Sequence, residues 1–532
     1  MRHPLFSRFQ SGSFLLLLLP LLFGGCFQGN SQTEETPEEE MVTIELGAPI
    51  TSDAPAETTE TKTARNVTTR PETDVSLPEN QNFQSTQSPQ TSQKSHTSKK
   101  QNVILMIADG AGFGSFYCAA DFLTGAPTGF FWQNAPWKQT SVATFHKKSF
   151  YDPEKDWADF KNLRVPFYQK EPAFIPPDSA STGTAMMTGV KTRNGRVGVG
   201  PDDEILETIA EIFHRNGRRT GAVTTYQIAS ATMADVASHE LERKNGQKMF
   251  AQMLLDGNLD VIIGAGHPEF NDDAQPQAAS FGKYGPGPEL WAQIRDGKLP
   301  AGWLFIEKRT DFQKLADALP GTAGFRQLPP KLLGIAQTAN AFQCLRQAGS
   351  PLLPQTPTLA EASLAALNVL TAHTNSPKAP GFFLMIEGGA VDCANDANDL
   401  ERCVEEMADF HAAIEAVCLW VEKNSSWEET LLIITADHDN GAIYGPENGS
   451  DGVPLTAPLY RGKGVLADVR YYSDDHTKQL VPLYARGPGA EEVEGCVIGT
   501  DERMGKFWNY DGRFIENTSV FRAMMSGLPF AN

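Results

Sequence analysis

From residue 101 onward, short continuous apolar runs alternate with longer stretches of helical periodicity. Asn102-Val103-Ile104-Leu105-Met106-Ile107 is apolar after its first residue, the pattern of a strand buried on both faces. Comparable runs occur at 220–225, 261–264, 382–386, 431–435 and 481–484. Between them, Glu204 to Arg215 sets Ile205, Ile209, Ile212 and Phe213 at helical spacing and stops at Asn216-Gly217. The stretches 358–373 and 400–423 also read as helices. This alternation predicts an α/β fold: a doubly wound, mostly parallel sheet flanked by helices. Residues 267–357 are less regular and rich in Gly and Pro, and read as an insertion of loops and short helices.

The first hundred residues follow different rules. Arg2 and Arg8 precede an apolar run from Phe14 to Phe23, which is too short to span a bilayer comfortably. Residues 1–26 therefore read as an export signal, and its end, Phe23-Gly24-Gly25-Cys26, is similar to the box at which bacterial lipoproteins are cleaved and lipidated on cysteine. The expectation is an exported protein, periplasmic or anchored to a membrane through Cys26. Residues 27–100 are Thr, Ser, Glu, Gln and Pro-rich and carry too few large apolar groups to offset ordering entropy, so they read as a disordered spacer.

Charge narrows the partners. The chain carries −20 overall, about −16 of it in 101–532. That balance argues against a general nucleic-acid binder, and an anionic substrate would have to be captured by local cations. Six cysteines follow Cys26 (118, 344, 393, 403, 418 and 496); none forms a Cys-x-x-Cys pair, and sequence does not choose among their pairings.

Candidate chemistry sits where strand-like runs end. Asp109 follows the first run and opens a Gly-rich turn. In Pro177-Asp178-Ser179-Ala180-Ser181-Thr182-Gly183-Thr184, an acidic residue precedes a serine and a run of small residues; a helix beginning there would favour an anion in front of it. Thr232 follows the run at 220–225, with Arg243 eleven residues on. Glu387-Gly388-Gly389-Ala390-Val391-Asp392 follows the run at 382–386, and Asp392 and Asp396 would share a helix face. Asp437-His438 ends the run at 431–435, and His476 follows Asp475. Each residue alone reads equally as a helix cap or a surface group; their recurrence at successive strand ends points to a metal site.

Asn-Val-Ile-Leu-Met-Ile-Ala-Asp-Gly (102–110), Asp-Ser-Ala-Ser (178–181), Ile-Glu-Gly-Gly-Ala-Val-Asp (386–392), Thr-Ala-Asp-His (435–438) and Asp-His-Thr (475–477) together resemble the alkaline phosphatase family, in the family's order. The resemblance implies a catalytic domain over 101–532, two zinc sites and one magnesium site, small phosphate monoesters as substrates, and often a homodimer. Residue by residue it implies Ser179 as the phosphorylated nucleophile and Arg243 as the grip on phosphate. It implies Asp109, Asp437 and His438 at one zinc and Asp392 and His476 at the other. Asp109, Glu387 and Thr232 would hold magnesium, with Ser230 and Cys393 near that region. The chain departs from the pattern at Asp396, where the family usually has histidine. A carboxylate there suits harder ions, so the metal at the Asp392/Asp396/His476 site stays open. Two alternatives also remain: a diesterase or sulfatase of the same superfamily, and a binding protein with an inactive metal site.

Overall fold

The computed structural model describes residues 102–153, 156, 175–373, 380–446, 455–528 and 530. All of them belong to the unit Ser92–Asn532. The export signal, the spacer and Cys26 lie outside the described residues. In chain order the strands are β1 (Asn102–Ala108), β2 (Lys138–Ala143), β3 (Arg219–Gln227), β4 (Val261–Ala265), β5 (Trp303–Ile306), β6 (Lys331–Ile335), β7 (Phe382–Gly388), β8 (Thr430–Thr435), β9 (Asp439–Asn440), β10 (Ile443–Tyr444), β11 (Arg470–Tyr471), β12 (His476–Thr477), β13 (Val481–Arg486), β14 (Gly499–Thr500) and β15 (Arg513–Glu516).

Eleven strands form one sheet in the order β14-β15-β2-β13-β8-β1-β7-β3-β4-β6-β5. Its centre, β8-β1-β7-β3, is parallel throughout. Ile107 faces Glu387 on one side and Thr435 on the other, and Thr224 faces Glu387. The carboxyl ends of these four strands therefore lie level, and every motif that follows them opens onto the same edge of the sheet, as open α/β sheets arrange their ligand sites. Val103 to Ala108 have no exposed surface. Each large apolar side chain there contributes roughly 1.5–3 kcal/mol by burial, which fixes β1 as the spine of the sheet. The helix Leu400–Asn424 packs against both Phe113–Thr124 and Leu359–Ala372, and Leu359–Ala372 and Leu400–Asn424 lie on the sheet.

Two sequence expectations are modified. The 267–357 stretch is more than loops and short helices: it supplies β5 and β6, which extend the sheet beyond β4. β5 escapes apolar-run reading because it is a four-residue edge strand with Leu304 42 % exposed. The helix expected from Glu204 begins at Ile209, because Thr208 and Glu211 form a reciprocal capping box and Ile205 pairs with Val199 outside the helix. The sheet is mostly parallel, as expected; β13 runs antiparallel to both β2 and β8, and β14 to β15. All six cysteines of the described residues are free, and five of them are buried.

Glu406, on the inner face of Leu400–Asn424, is buried, and its Oε1 has no hydrogen-bond partner. Burial first, then the charges of Asp409 and Glu405, push its carboxyl up to about 8. A carboxyl raised in the folded state gives stability that is complete below its unfolded value, near 4.5, and is lost as pH rises through 8. Glu406→Gln should therefore raise the melting temperature at pH 9 while changing it little at pH 4, with a gain on the order of 2 kcal/mol at the higher pH. Thermal unfolding at the two pH values checks this.

Candidate metal centre and nucleophile

Ser179 is the first residue of the helix Ser179–Thr188, which Asp178 caps by accepting the amide of Ser181 at 2.9 Å. Small residues at 180–185 let this helix lie against its neighbours: a side chain at Gly183 would collide with Asp235. Ser179 is 3 % exposed, and its Oγ lies 3.3 Å from His438 Nε2. The second oxygen of Asp178 accepts from the Gly195 amide at 2.9 Å and from Arg243 Nη1 at 3.1 Å. Burial alone would raise the Asp178 carboxyl; Arg243 and the two amides outweigh it and hold it below the usual range. Arg243, still partly open to solvent, is thus fixed beside the serine with donors left over.

Two groups of ligand-type side chains converge next to Ser179: Asp109 with Asp437 and His438, and Asp392 with His438 and His476. In each group the donor atoms lie within 4.8 Å of one another. Gly110 and His438 donate their amides to Asp437 Oδ1 at 3.0 and 2.9 Å. Asp437 Oδ2 and Asp109 Oδ1 have no hydrogen-bond partner although both are buried; they stand 3.1 and 3.6 Å from His438 Nε2. Glu387 is fully buried with both oxygens unpartnered, and Ser230 Oγ is likewise buried without a partner. Thr232 donates to Asp109 Oδ2 at 3.3 Å.

Buried carboxylates without partners are costly, and native proteins resolve them with a counter-charge or a metal. Burial, then Asp437, Asp392 and Glu387, push Asp109 well above the ordinary carboxylate range. Burial and neighbouring carboxylates including Asp437 push Glu387 up to about 7. Burial holds His438 low, so its imidazole keeps a free lone pair. Oxygen donors with two imidazoles, in a nearly closed site, fit divalent cations.

At the other group, His476 Nδ1 contacts the Pro177 carbonyl at 2.9 Å, which turns Nε2 toward Asp392, 3.7 Å away. The His438 and His476 rings stack with centroids 3.6 Å apart. Gly110 has φ +68°, and any side chain there would strike Asp392. Asp396, one turn beyond Asp392 in the helix Ala390–Asp396, falls outside both groups; its Oδ1 instead accepts from Asn440 Nδ2. The structure therefore gathers Asp109, Thr232, Glu387, Asp392, Asp437, His438, His476, Ser179 and Arg243 around one edge of the sheet, with Asp396 reached through an amide. Asn194, whose Oδ1 accepts from the Asp178 amide and Ser181 Oγ, was not visible in the sequence pattern, and neither was Asn440. Both act by hydrogen bonds between segments, and neither carries a strand-end signature.

Comparison with known proteins agrees with this geometry. The family model described as alkaline phosphatase matches residues 100–464, more than half of the chain. The chain is 28 % identical to the streptomycin-6-phosphate phosphatase of Streptomyces griseus, over 77 % of this chain and 90 % of that protein. It is 26 % identical to the alkaline phosphatase of Escherichia coli K12, over 75 % and 84 % of the two chains. Among solved structures, the alkaline phosphatase of the Antarctic bacterium TAB5 superposes with a TM-score of 0.52 at 21 % identity, covering 81 % of this chain and 99 % of that one. The fold, the converging ligand groups and the match along most of the catalytic region establish that this chain belongs to the alkaline phosphatase family and is a phosphoric monoester hydrolase.

Proposed function

We propose that the protein hydrolyses small phosphate monoesters outside the cytoplasm through a phosphoserine on Ser179. The observation that carries this reading is Ser179 Oγ, set at a helix N-terminus between a fixed arginine and the two converging ligand groups. Two zinc ions and one magnesium ion, held by Asp109/Asp437/His438, Asp392/Asp396/His476 and Asp109/Thr232/Glu387, would supply Lewis-acid chemistry that lowers the proton affinity of the serine and of water and neutralises the leaving oxygen. Ser179 Oγ gives its proton to water, attacks phosphorus and forms the Oγ–P bond as the bond to the leaving alkoxide breaks; that alkoxide takes a proton from water. A water oxygen then attacks the phosphoserine, the Oγ–P bond breaks, and the serine recovers its proton. Two in-line displacements retain configuration at phosphorus. Arg243 binds nonbridging oxygens, where transition-state charge is spread. Amides at the start of Ser179–Thr188 add to that field.

Arg243→Ala should lower kcat/KM for p-nitrophenyl phosphate by about 10²–10³-fold, the cost of one charge-assisted transition-state contact. The loss should be smaller for a phosphate diester, which offers Arg243 less charge. Steady-state rates on a monoester, a diester and a sulfate ester check both statements. A wild-type protein fastest on the diester or sulfate would overturn the monoester reading.

Address and assembly complete the proposal. The Arg2/Arg8 apolar leader and Cys26 support export and lipid anchoring, with the acidic domain held off the membrane by 27–100. Among the described residues no helix is long and apolar enough to cross a membrane. Cys26→Ser should move the protein from the membrane pellet to the soluble exported fraction, seen by fractionation. A homodimer, as the resemblance implies, would appear in light scattering at twice the chain mass.

A further inference from the structure

Asn440 is fully buried, two residues beyond His438. Its Nδ2 donates to Asp392 Oδ1 and to Asp396 Oδ1, both at 2.7 Å. An amide nitrogen has two protons, so both are used, one on each carboxylate. The reverse orientation would set the amide oxygen against two carboxylate oxygens, so the chemistry fixes which end faces them. The backbone is held as firmly. The Asn440 amide donates to the Gly110 carbonyl at 3.0 Å, and Asn395 Nδ2 donates to that same carbonyl at 3.0 Å. Asn440 also pairs directly with His476 across the β9–β12 ladder. One residue thus joins the turn after β1, the helix carrying both aspartates and the strand carrying His476.

We propose that Asn440 is a positioning residue that clamps Asp396 to Asp392, so that two like-charged carboxylates one helical turn apart face a single cation. This rests on the metal-dependent reading above. Without the clamp, repulsion between the carboxylates favours rotation of Asp396 toward solvent, where it is already exposed. An uncharged donor draws the two together without pairing either with a cation of the protein, and leaves each carboxylate its other oxygen for a metal ion. Outer hydrogen bonds of this kind typically govern metal affinity by about 10–100-fold.

The test is calorimetric titration of the metal-stripped full chain with Zn²⁺ and, separately, Mn²⁺. Wild type, Asn440→Ala, Asp396→Ala and the double variant are compared, with the melting temperature of each metal-free protein. Asn440→Ser replaces the alanine variant if that one fails to fold. The expected result is a loss of about 10-fold or more in affinity at one class of site in Asn440→Ala, with the remaining equivalents and the metal-free melting temperature unchanged. Asn440→Ala should cost less affinity in the Asp396→Ala background than in wild type, because one of its two carboxylate contacts is already gone there. Unchanged affinity in Asn440→Ala would overturn the proposal. So would equal weakening of all sites with a lowered metal-free melting temperature, or independent multiplication of the two single effects. Metal binding is read directly, so a chain that shows the expected pattern without hydrolysing monoesters keeps this inference and sinks the proposed function.

Discussion

Ser179→Ala lowers kcat/KM for p-nitrophenyl phosphate by on the order of 10⁴-fold or more, because the loss of a nucleophile removes the covalent route and the groups built around it. The variant should still fold and still bind inorganic phosphate. Ser179 contributes one small hydroxyl to a helix start whose cap belongs to Asp178, and in the proposed mechanism the phosphate contacts would belong to Arg243 and the metals. Residual turnover should lack a phosphorylated enzyme and should invert rather than retain configuration at phosphorus, since water would attack the substrate directly. Steady-state kinetics, phosphate titration and a chiral phosphate ester check the three parts. A variant retaining near-wild-type turnover would require another nucleophile.

Metal removal is the second large effect. Exhaustive chelation should abolish monoester hydrolysis by at least about 10³-fold and lower the melting temperature by several degrees. The structural reason is the concentration of acid at one sheet edge. Asp109, Glu387, Asp392 and Asp437 approach one another with few internal cations, and several of their oxygens are buried without a hydrogen-bond partner. A cation at 1,000 times its dissociation constant stabilises the folded state by about 4 kcal/mol through mass action alone. Returning Zn²⁺, Mg²⁺, Mn²⁺, Co²⁺ or Ca²⁺ singly and in pairs should restore both readouts. Zinc with magnesium as the best pair would mean that Asp396 simply stands in for histidine. A harder ion alone would mean that Asp396 has changed the preference of its site. Activity that survives complete stripping would contradict the metal-dependent account.

The parts of the fold that read easily are those whose burial is apolar. β1, β7 and β8 carry continuous apolar runs because both faces are covered. β2 escaped notice because its buried positions include hydroxyls: Thr140 Oγ1 and Ser141 Oγ donate to the Arg513 carbonyl at 2.9 and 3.0 Å. Those polar groups are satisfied by β15, which is distant in sequence and has no local signature. In the 267–357 stretch β5 lacks an apolar run because it is a half-exposed edge strand, and β6, though interior and buried, is only five residues long with a glycine in it. At the site, the ligand-type residues were legible because carboxylates and imidazoles at strand ends have few other reasons to recur. Asn194 and Asn440 were not, since an asparagine that bridges segments looks like a turn residue until the segments meet.

The central claim is a covalent phosphate on one serine of a metal-loaded enzyme. The direct measurement is an acid quench of the zinc- and magnesium-loaded wild-type protein during turnover of a ³²P-labelled monoester, followed by peptide mapping. The account predicts label on Ser179, lost when unlabelled substrate is chased through before the quench and absent in Ser179→Ala. Label on another residue, or steady turnover with no labelled peptide under conditions that preserve phosphoserine, would contradict it.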